Sequence, residues 1–144
     1  MNVLIAEDDI DTVRIYDKVL RDRGHDITVT NNGEKCLAIY KDEMNALINK
    51  SESLDRGLPF DTVVLDYKIP GMDGFELARK IMSINCRQRI ILASAYGKDI
   101  FEDAAEFFDL QIEIIQKPFS GDKFLDLLEN NNNNRECYQR FGNG

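Results

Sequence analysis

Five side chains that can handle a phosphoryl group stand directly after short apolar runs of the sequence. They combine three carboxylates, one hydroxyl and one ammonium group, although they are scattered along the chain. Apolar runs of this length predict buried strands, and the carboxyl ends of parallel strands are where such sheets bind ligands. The five side chains are Glu7 and Asp8 after the run 3–6, Asp66 after 60–65, Ser94 after 89–93 and Lys117 after 112–115.

The chemistry that this set favours is transfer of a phosphoryl group to a carboxylate. Two like charges at ~4 Å repel by roughly 4 kcal/mol at an intermediate dielectric, so Glu7, Asp8 and Asp66 call for a cation. Oxygen ligands at a partly open site suit Mg²⁺. Lys117 and the hydroxyl of Ser94 would each hold a phosphoryl oxygen, and Asp66 would be the nucleophile.

The elements that must position these groups alternate between strand and helix periodicity. Five βα units in a row predict an α/β fold, a doubly wound five-stranded parallel sheet with helices on both faces. We expect the flavodoxin-like strand order 2-1-3-4-5. Asp73 is expected to cap the helix that follows it, and Asp9 is expected to complement the dipole at the N-terminus of the first helix. The predicted strands are 3–6, 26–30, 60–65, 89–93 and 112–115, and the predicted helices are 9–23, 34–50, 73–85, 98–108 and 120–129.

Length and composition indicate one domain, residues 1–129, followed by an Asn-rich linker and short tail, 130–144, that we expect to be disordered. The formal net charge of -8 argues against nucleic acid and anionic membranes as partners. Three widely spaced cysteines predict neither a disulfide framework nor a zinc site. We therefore expect a protein of the reducing cytoplasm.

Four stretches together resemble the receiver domain of two-component response regulators. They occur in the family's order at predicted strand ends, and the resemblance covers about residues 2 to 129. The stretches are VLIAEDD (3–9), VVLDYKIPGMDG (63–74), ILASA (91–95) and QKPF (116–119).

The resemblance implies a role for each site residue. Asp66 would be the phosphoacceptor, and Asp8 and Asp66 would ligate Mg²⁺ directly. Glu7 would act on the metal through water, and the backbone carbonyl of Lys68 would complete the protein ligands. Catalytic roles would fall to Ser94, the switch hydroxyl, and to Lys117, whose bond to Pro118 would be cis.

The chain departs from the family pattern at three places. Ile114 stands where the family usually has Tyr or Phe, which puts an aromatic switch in doubt. The stretch between Asp8 and Asp66 is longer than usual, and the tail after Asn134 has no family counterpart. Lys68 and Tyr96 occupy positions that modulate the lifetime of the phosphoryl group, and we expect the bulk of Tyr96 to slow water attack.

These features predict a stand-alone response regulator that signals by binding and is not an enzyme beyond its own phosphorylation and dephosphorylation. Its phosphoryl group would come from a sensor histidine kinase or a phosphotransfer protein. The fourth predicted helix, the fifth strand and the fifth helix would bind a downstream protein or a second copy. One alternative is a receiver-like interaction module that works without phosphorylation. A second is an aspartate-nucleophile phosphatase, which normally needs an Asp where Lys68 stands. A third and weaker alternative is a flavin carrier.

Overall fold

Five parallel strands form one sheet in the order β2-β1-β3-β4-β5, which confirms the predicted fold class. The computed structural model describes residues 1–50, 57–95 and 111–130. The elements in these ranges are β1 (Asn2–Ala6), α1 (Ile10–Asp22), β2 (Asp26–Thr30), α2 (Gly33–Lys50), β3 (Thr62–Asp66), α3 (Gly74–Ile84), β4 (Ile90–Ser94), β5 (Glu113–Gln116) and α4 (Gly121–Asn130).

The central strands are buried on both faces because their side chains alternate between two hydrophobic clusters. On one face Leu4 and Val63 pack with residues of α2 and α3, including Tyr40 and Leu77. On the other face Val3, Ile5 and Val64 pack with residues of α1 and α4. Continuous apolar runs, rather than alternating ones, are therefore what this sheet requires.

Local side-chain chemistry sets where two of the helices begin. Asp9 caps α1 by accepting hydrogen bonds from the backbone nitrogen and the hydroxyl of Thr12 at 3.2 and 2.6 Å. Asp73 caps α3 by accepting from the backbone nitrogen of Glu76 at 2.8 Å. Both acids serve the free N–H groups of a first helical turn; the sequence predicts the cap for Asp73, and for Asp9 it predicts only a charge that complements the helix dipole.

One cysteine expectation is wrong. Cys86 is disulfide-bonded, and Cys36 is a buried free thiol. Neither the wide spacing of the cysteines in the sequence nor their odd number gives their distance in space, so the prediction could not anticipate this disulfide.

The helix predicted at 98–108, Tyr96 and the tail 131–144 lie outside the described residues. Within the described ranges, no helix has the length and apolar character needed to cross a bilayer.

The strand register brings the predicted site residues to one edge of the sheet. Ala6 pairs with Leu65, so Glu7 and Asp66 follow at the same level. Asp66 pairs with Ala93 on the next strand, and Ser94 pairs with Gln116, the residue before Lys117. Side chains from four strands therefore meet at the carboxyl edge although up to 110 positions separate them in sequence.

Candidate functional site

Three carboxylates form an acidic cluster at the carboxyl edge of the sheet. One oxygen from each of Glu7, Asp8 and Asp66 lies within 4.8 Å of the others. Glu7 and Asp66 are buried, whereas Asp8 is exposed. A set of oxygen ligands that is open on one side fits a hard divalent cation, which would also relieve the repulsion between the carboxylates.

Lys117 reaches into this cluster from the end of β5. Its Nζ donates to Oε1 of Glu7 at 2.6 Å and lies 3.1 Å from Oδ1 of Asp66. Its backbone nitrogen donates to the carbonyl oxygen of Ser94 at 2.8 Å, which ties the start of the β5–α4 turn to β4. The bond between Lys117 and Pro118 is cis, as the resemblance implies. The ammonium group is thus held between two buried carboxylates.

The electrostatics of the cluster favour a cation or a proton on Asp66. Burial, and after it the charge of Glu7, raise the pKa of Asp66 from its ordinary 3.8 to about 6, although Lys117 partly opposes both. Burial disfavours the charged form of Lys117, but the hydrogen bond to Glu7 and the charges of both carboxylates outweigh it. The pKa of Lys117 is therefore raised above its ordinary value.

A pocket of about 230 Å³ opens beside these groups. The side chain of Ser94 is buried at its wall, only 1% exposed, while Lys68 is exposed at its rim. A pocket this small suits a phosphoryl group and not a large cofactor. Its lining residues are Asp66, Tyr67, Lys68, Ser94, Ala95 and Lys117.

Two glycines hold the loop that follows Asp66, and the sequence reasoning did not identify them. The backbone nitrogen of Gly74 donates to the carbonyl oxygen of Tyr67 at 2.8 Å, and a Cβ at Gly74 would overlap the carbonyl oxygen of Asp66. The backbone nitrogen of Gly33 donates to the carbonyl oxygen of Pro70 at 2.9 Å. In the sequence, the glycines of the PGMDG segment and the glycine after Asn32 indicate such contacts, because a close approach of two backbone segments requires a residue without a Cβ.

Ile114 and Pro118 are the remaining predicted residues within the described ranges. Ile114 is partly buried and packs against the core on the α2 and α3 face. Pro118 is exposed, and Tyr96 lies outside the described residues. The structure therefore brings together Glu7, Asp8, Asp66, Lys68, Ser94 and Lys117.

Comparison with known proteins agrees with this geometry. The family model described as the response regulator receiver domain matches residues 3–129. The chain is 28% identical over 128 residues to sporulation initiation phosphotransferase F of Bacillus subtilis (strain 168), covering 88% of this chain and 90% of that protein. It is also 30% identical over 134 residues to probable histidine kinase 2 of Oryza sativa subsp. indica, but covers only 12% of that protein's length.

A solved structure supports the fold independently. The receiver domain protein (CheY-like) from Methanospirillum hungatei JF-1 superimposes with a TM-score of 0.72 at 19% identity, covering 90% of each chain. At this identity the likeness concerns the fold. The family model covers nearly the whole chain, and the acidic cluster lies at the sheet edge where it is expected. The chain therefore belongs to the response regulator receiver domain family of two-component signalling systems.

Proposed function

We propose that this receiver domain accepts a phosphoryl group on Asp66, with Mg²⁺, from a histidine kinase or a phosphotransfer protein. One observation carries the proposal: Asp66 lies in a three-carboxylate cluster and within 3.1 Å of the Nζ of Lys117, beside a pocket lined by Ser94. A carboxylate nucleophile, a cation site and two donors for phosphoryl oxygens are the parts that this transfer needs.

The transfer would proceed by attack of a carboxylate oxygen of Asp66 on the phosphorus of a phosphohistidine. A P–O bond forms as the P–N bond breaks, and the leaving imidazole nitrogen keeps the electron pair and takes up a proton. Lys117 would pair with one phosphoryl oxygen, and the hydroxyl of Ser94 would donate to another. Both groups stabilise the charge that spreads over these oxygens during transfer.

The family resemblance implies how the metal ligands are divided, and the oxygen donors present fit that division. Asp8 and Asp66 would bind Mg²⁺ directly, Glu7 through water, and Lys68 through its backbone carbonyl, since oxygen ligands are those that Mg²⁺ prefers. When bound, Mg²⁺ supplies charge neutralisation for phosphoryl oxygens. The exposure of Asp8, with Glu7 and Asp66 buried behind it, leaves the open side that a hydrated cation needs.

The names of the relatives support a phosphorelay role. One relative is named a phosphotransferase of sporulation initiation, and another a probable histidine kinase. We infer by this similarity that the chain receives its phosphoryl group from a partner's histidine in the cytoplasm. The match to the receiver domain family supports a signalling module.

We place the output on the face formed by the predicted helix 98–108, β5 and α4, where a downstream protein or a second copy would bind. The described part of this face has a groove of about 380 Å³ between β5 and α4. Ile114 at this groove offers no aromatic ring to follow Ser94, so the surface would have to switch by other means. The groove is lined by Ile114, Ile115, Gln116, Lys123 and Leu127.

Intact-mass spectrometry with acetyl phosphate tests the proposal. We expect one phosphoryl adduct that needs Mg²⁺ and is absent in Asp66→Asn. Asp9→Asn is the matched control, because Asn caps a helix as well as Asp does and Asp9 points its carboxylate at Thr12. If wild type forms no adduct and binds no beryllofluoride with Mg²⁺ by NMR, the module works without phosphorylation and the proposal is wrong.

A further inference from the structure

Three aromatic rings form a closed triangle in the hydrophobic cluster on the α1 and α4 face of the sheet. The ring centroids of Tyr16 and Phe124 are 4.9 Å apart, and each lies 5.7 Å from that of Phe119. Tyr16 is 1% exposed and Phe124 is fully buried. Tilted and offset rings at these distances attract beyond the area they bury, so the triangle fixes α1, the β5–α4 turn and α4 to one another.

Phe119, one corner of the triangle, is two residues after Lys117 in the sequence. Upstream, the backbone of Lys117 is held by its hydrogen bond to Ser94. Downstream, Phe119 is the first side chain after Pro118 with a packing contact in the core. Tyr16 also interacts electrostatically with the acidic cluster. Burial raises the pKa of its hydroxyl well above the ordinary value, and the charges of Glu7 and Asp66 contribute to the same rise.

The packing of α4 against α1 leaves this arrangement little freedom. A Cβ at Gly121, the first residue of α4, would lie 2.5 Å from a methyl carbon of Val19 on α1. Val19 is one turn beyond Tyr16 on the same helix, so the two contacts lie side by side. The β5–α4 turn is thus clamped at Phe119 and again at Gly121.

We propose that Tyr16 is a positioning residue for phosphoryl transfer: its ring, through Phe119, holds the backbone that carries Lys117 and so sets the reach of Nζ to Asp66. This inference rests on the proposed function for its consequence, the rate of transfer. Its structural half, the hold on the Lys117 backbone, is independent of whether Asp66 accepts a phosphoryl group.

Amide hydrogen exchange by NMR on the unphosphorylated protein tests the structural half. In Tyr16→Leu, exchange of the Lys117 amide, relative to the Val63 amide of β3, should rise roughly three- to tenfold, the factor that corresponds to loss of the Tyr16–Phe119 pair alone. Tyr16→Phe keeps the ring and should restore the wild-type ratio. Formation of the phosphoryl adduct should slow by a similar factor in Tyr16→Leu alone.

Tyr40→Leu is the matched control. Tyr40 is equally buried, but it stacks on Phe60 at 6.3 Å in the cluster on the opposite face of the sheet. The inference is overturned if the Lys117 ratio in Tyr16→Leu stays at the wild-type value, or if Tyr40→Leu raises it equally. Lack of an adduct in wild type would refute the proposed function and leave the exchange result standing.

Discussion

Replacing Asp66 by Asn should stabilise the metal-free protein at neutral pH, although the substitution removes an ion pair with Lys117. Burial and the charge of Glu7 raise the pKa of Asp66 from 3.8 to about 6 even with Lys117 at 3.1 Å. At about 1.4 kcal/mol per pKa unit, ionised Asp66 costs the folded state up to about 3 kcal/mol. Asn is close to the neutral acid in shape and avoids this cost.

The direction in which stability changes with pH follows from this raised pKa. The folded-state pKa of Asp66 is the higher one, so between about pH 4 and 6 the folded state binds more protons than the unfolded chain. The stability of wild type therefore falls as pH rises through this window, and Asp66→Asn lacks that part of the slope. The two proteins should be about equally stable below pH 4 and differ most above pH 6.

Thermal and urea unfolding in EDTA measure the difference. For a domain of this size, about 3 kcal/mol corresponds to a rise in Tm of about 10 °C at about pH 7.5. Asp9→Asn should give no such gain, because Asp9 is an exposed helix cap whose pKa is lowered by its hydrogen bonds to Thr12. If Asp66→Asn is less stable than wild type above pH 6, the ion pair with Lys117 outweighs burial and the reasoning fails.

Three further predictions concern the metal, the glycine contact and a buried arginine. Added Mg²⁺ should raise the Tm of wild type but not of Asp66→Asn. At a hundredfold excess over Kd, the free energy of unfolding of wild type should rise by about 2.7 kcal/mol. Gly74→Ala should lower the free energy of unfolding in urea by at least about 2 kcal/mol, because the added methyl group overlaps the carbonyl oxygen of Asp66. Gly24→Ala should lower it by only about 1 kcal/mol, because φ is +78° there but the space around the residue is open. Arg89→Met should cost about 3–5 kcal/mol in the same assay, since it removes the ion pair with Glu113 and the hydrogen bonds to the carbonyl oxygens of Leu127 and Leu128.

The sheet and most of the site could be predicted because their signals are local. Each apolar run is short and unbroken, as a strand buried on both faces must be, and each site residue follows such a run. Once the topology is fixed, parallel pairing puts Glu7, Asp66 and Lys117 at one edge without further information. The clustering of these residues at one edge can therefore be predicted from residue types and positions.

Contacts that depend on distant segments could not be predicted. Arg89 would be taken for a surface residue, yet it is 2% exposed and donates to the carbonyl oxygens of Leu127 and Leu128 at 2.6 Å. Those acceptors lie 38 and 39 positions away, at the C-terminal end of α4. The bond between Lys117 and Glu7, at 2.6 Å shorter than its contact with Asp66, is non-local in the same way. No sequence period encodes such pairs.

The charge balance at the site gives a route by which phosphorylation would change contacts outside the site. Three carboxylates and one ammonium leave two negative charges in excess, which a divalent cation would cancel. On the proposed function, the phosphoryl group adds negative charge at Asp66 and competes with Glu7 for the ammonium of Lys117. Any shift of Lys117 acts on a backbone tied to Ser94 on one side and to Phe119 on the other. Since Phe119 contacts the ring of Tyr16 on α1 and that of Phe124 on α4, a shift of Lys117 on phosphorylation would be transmitted to the packing of these two helices.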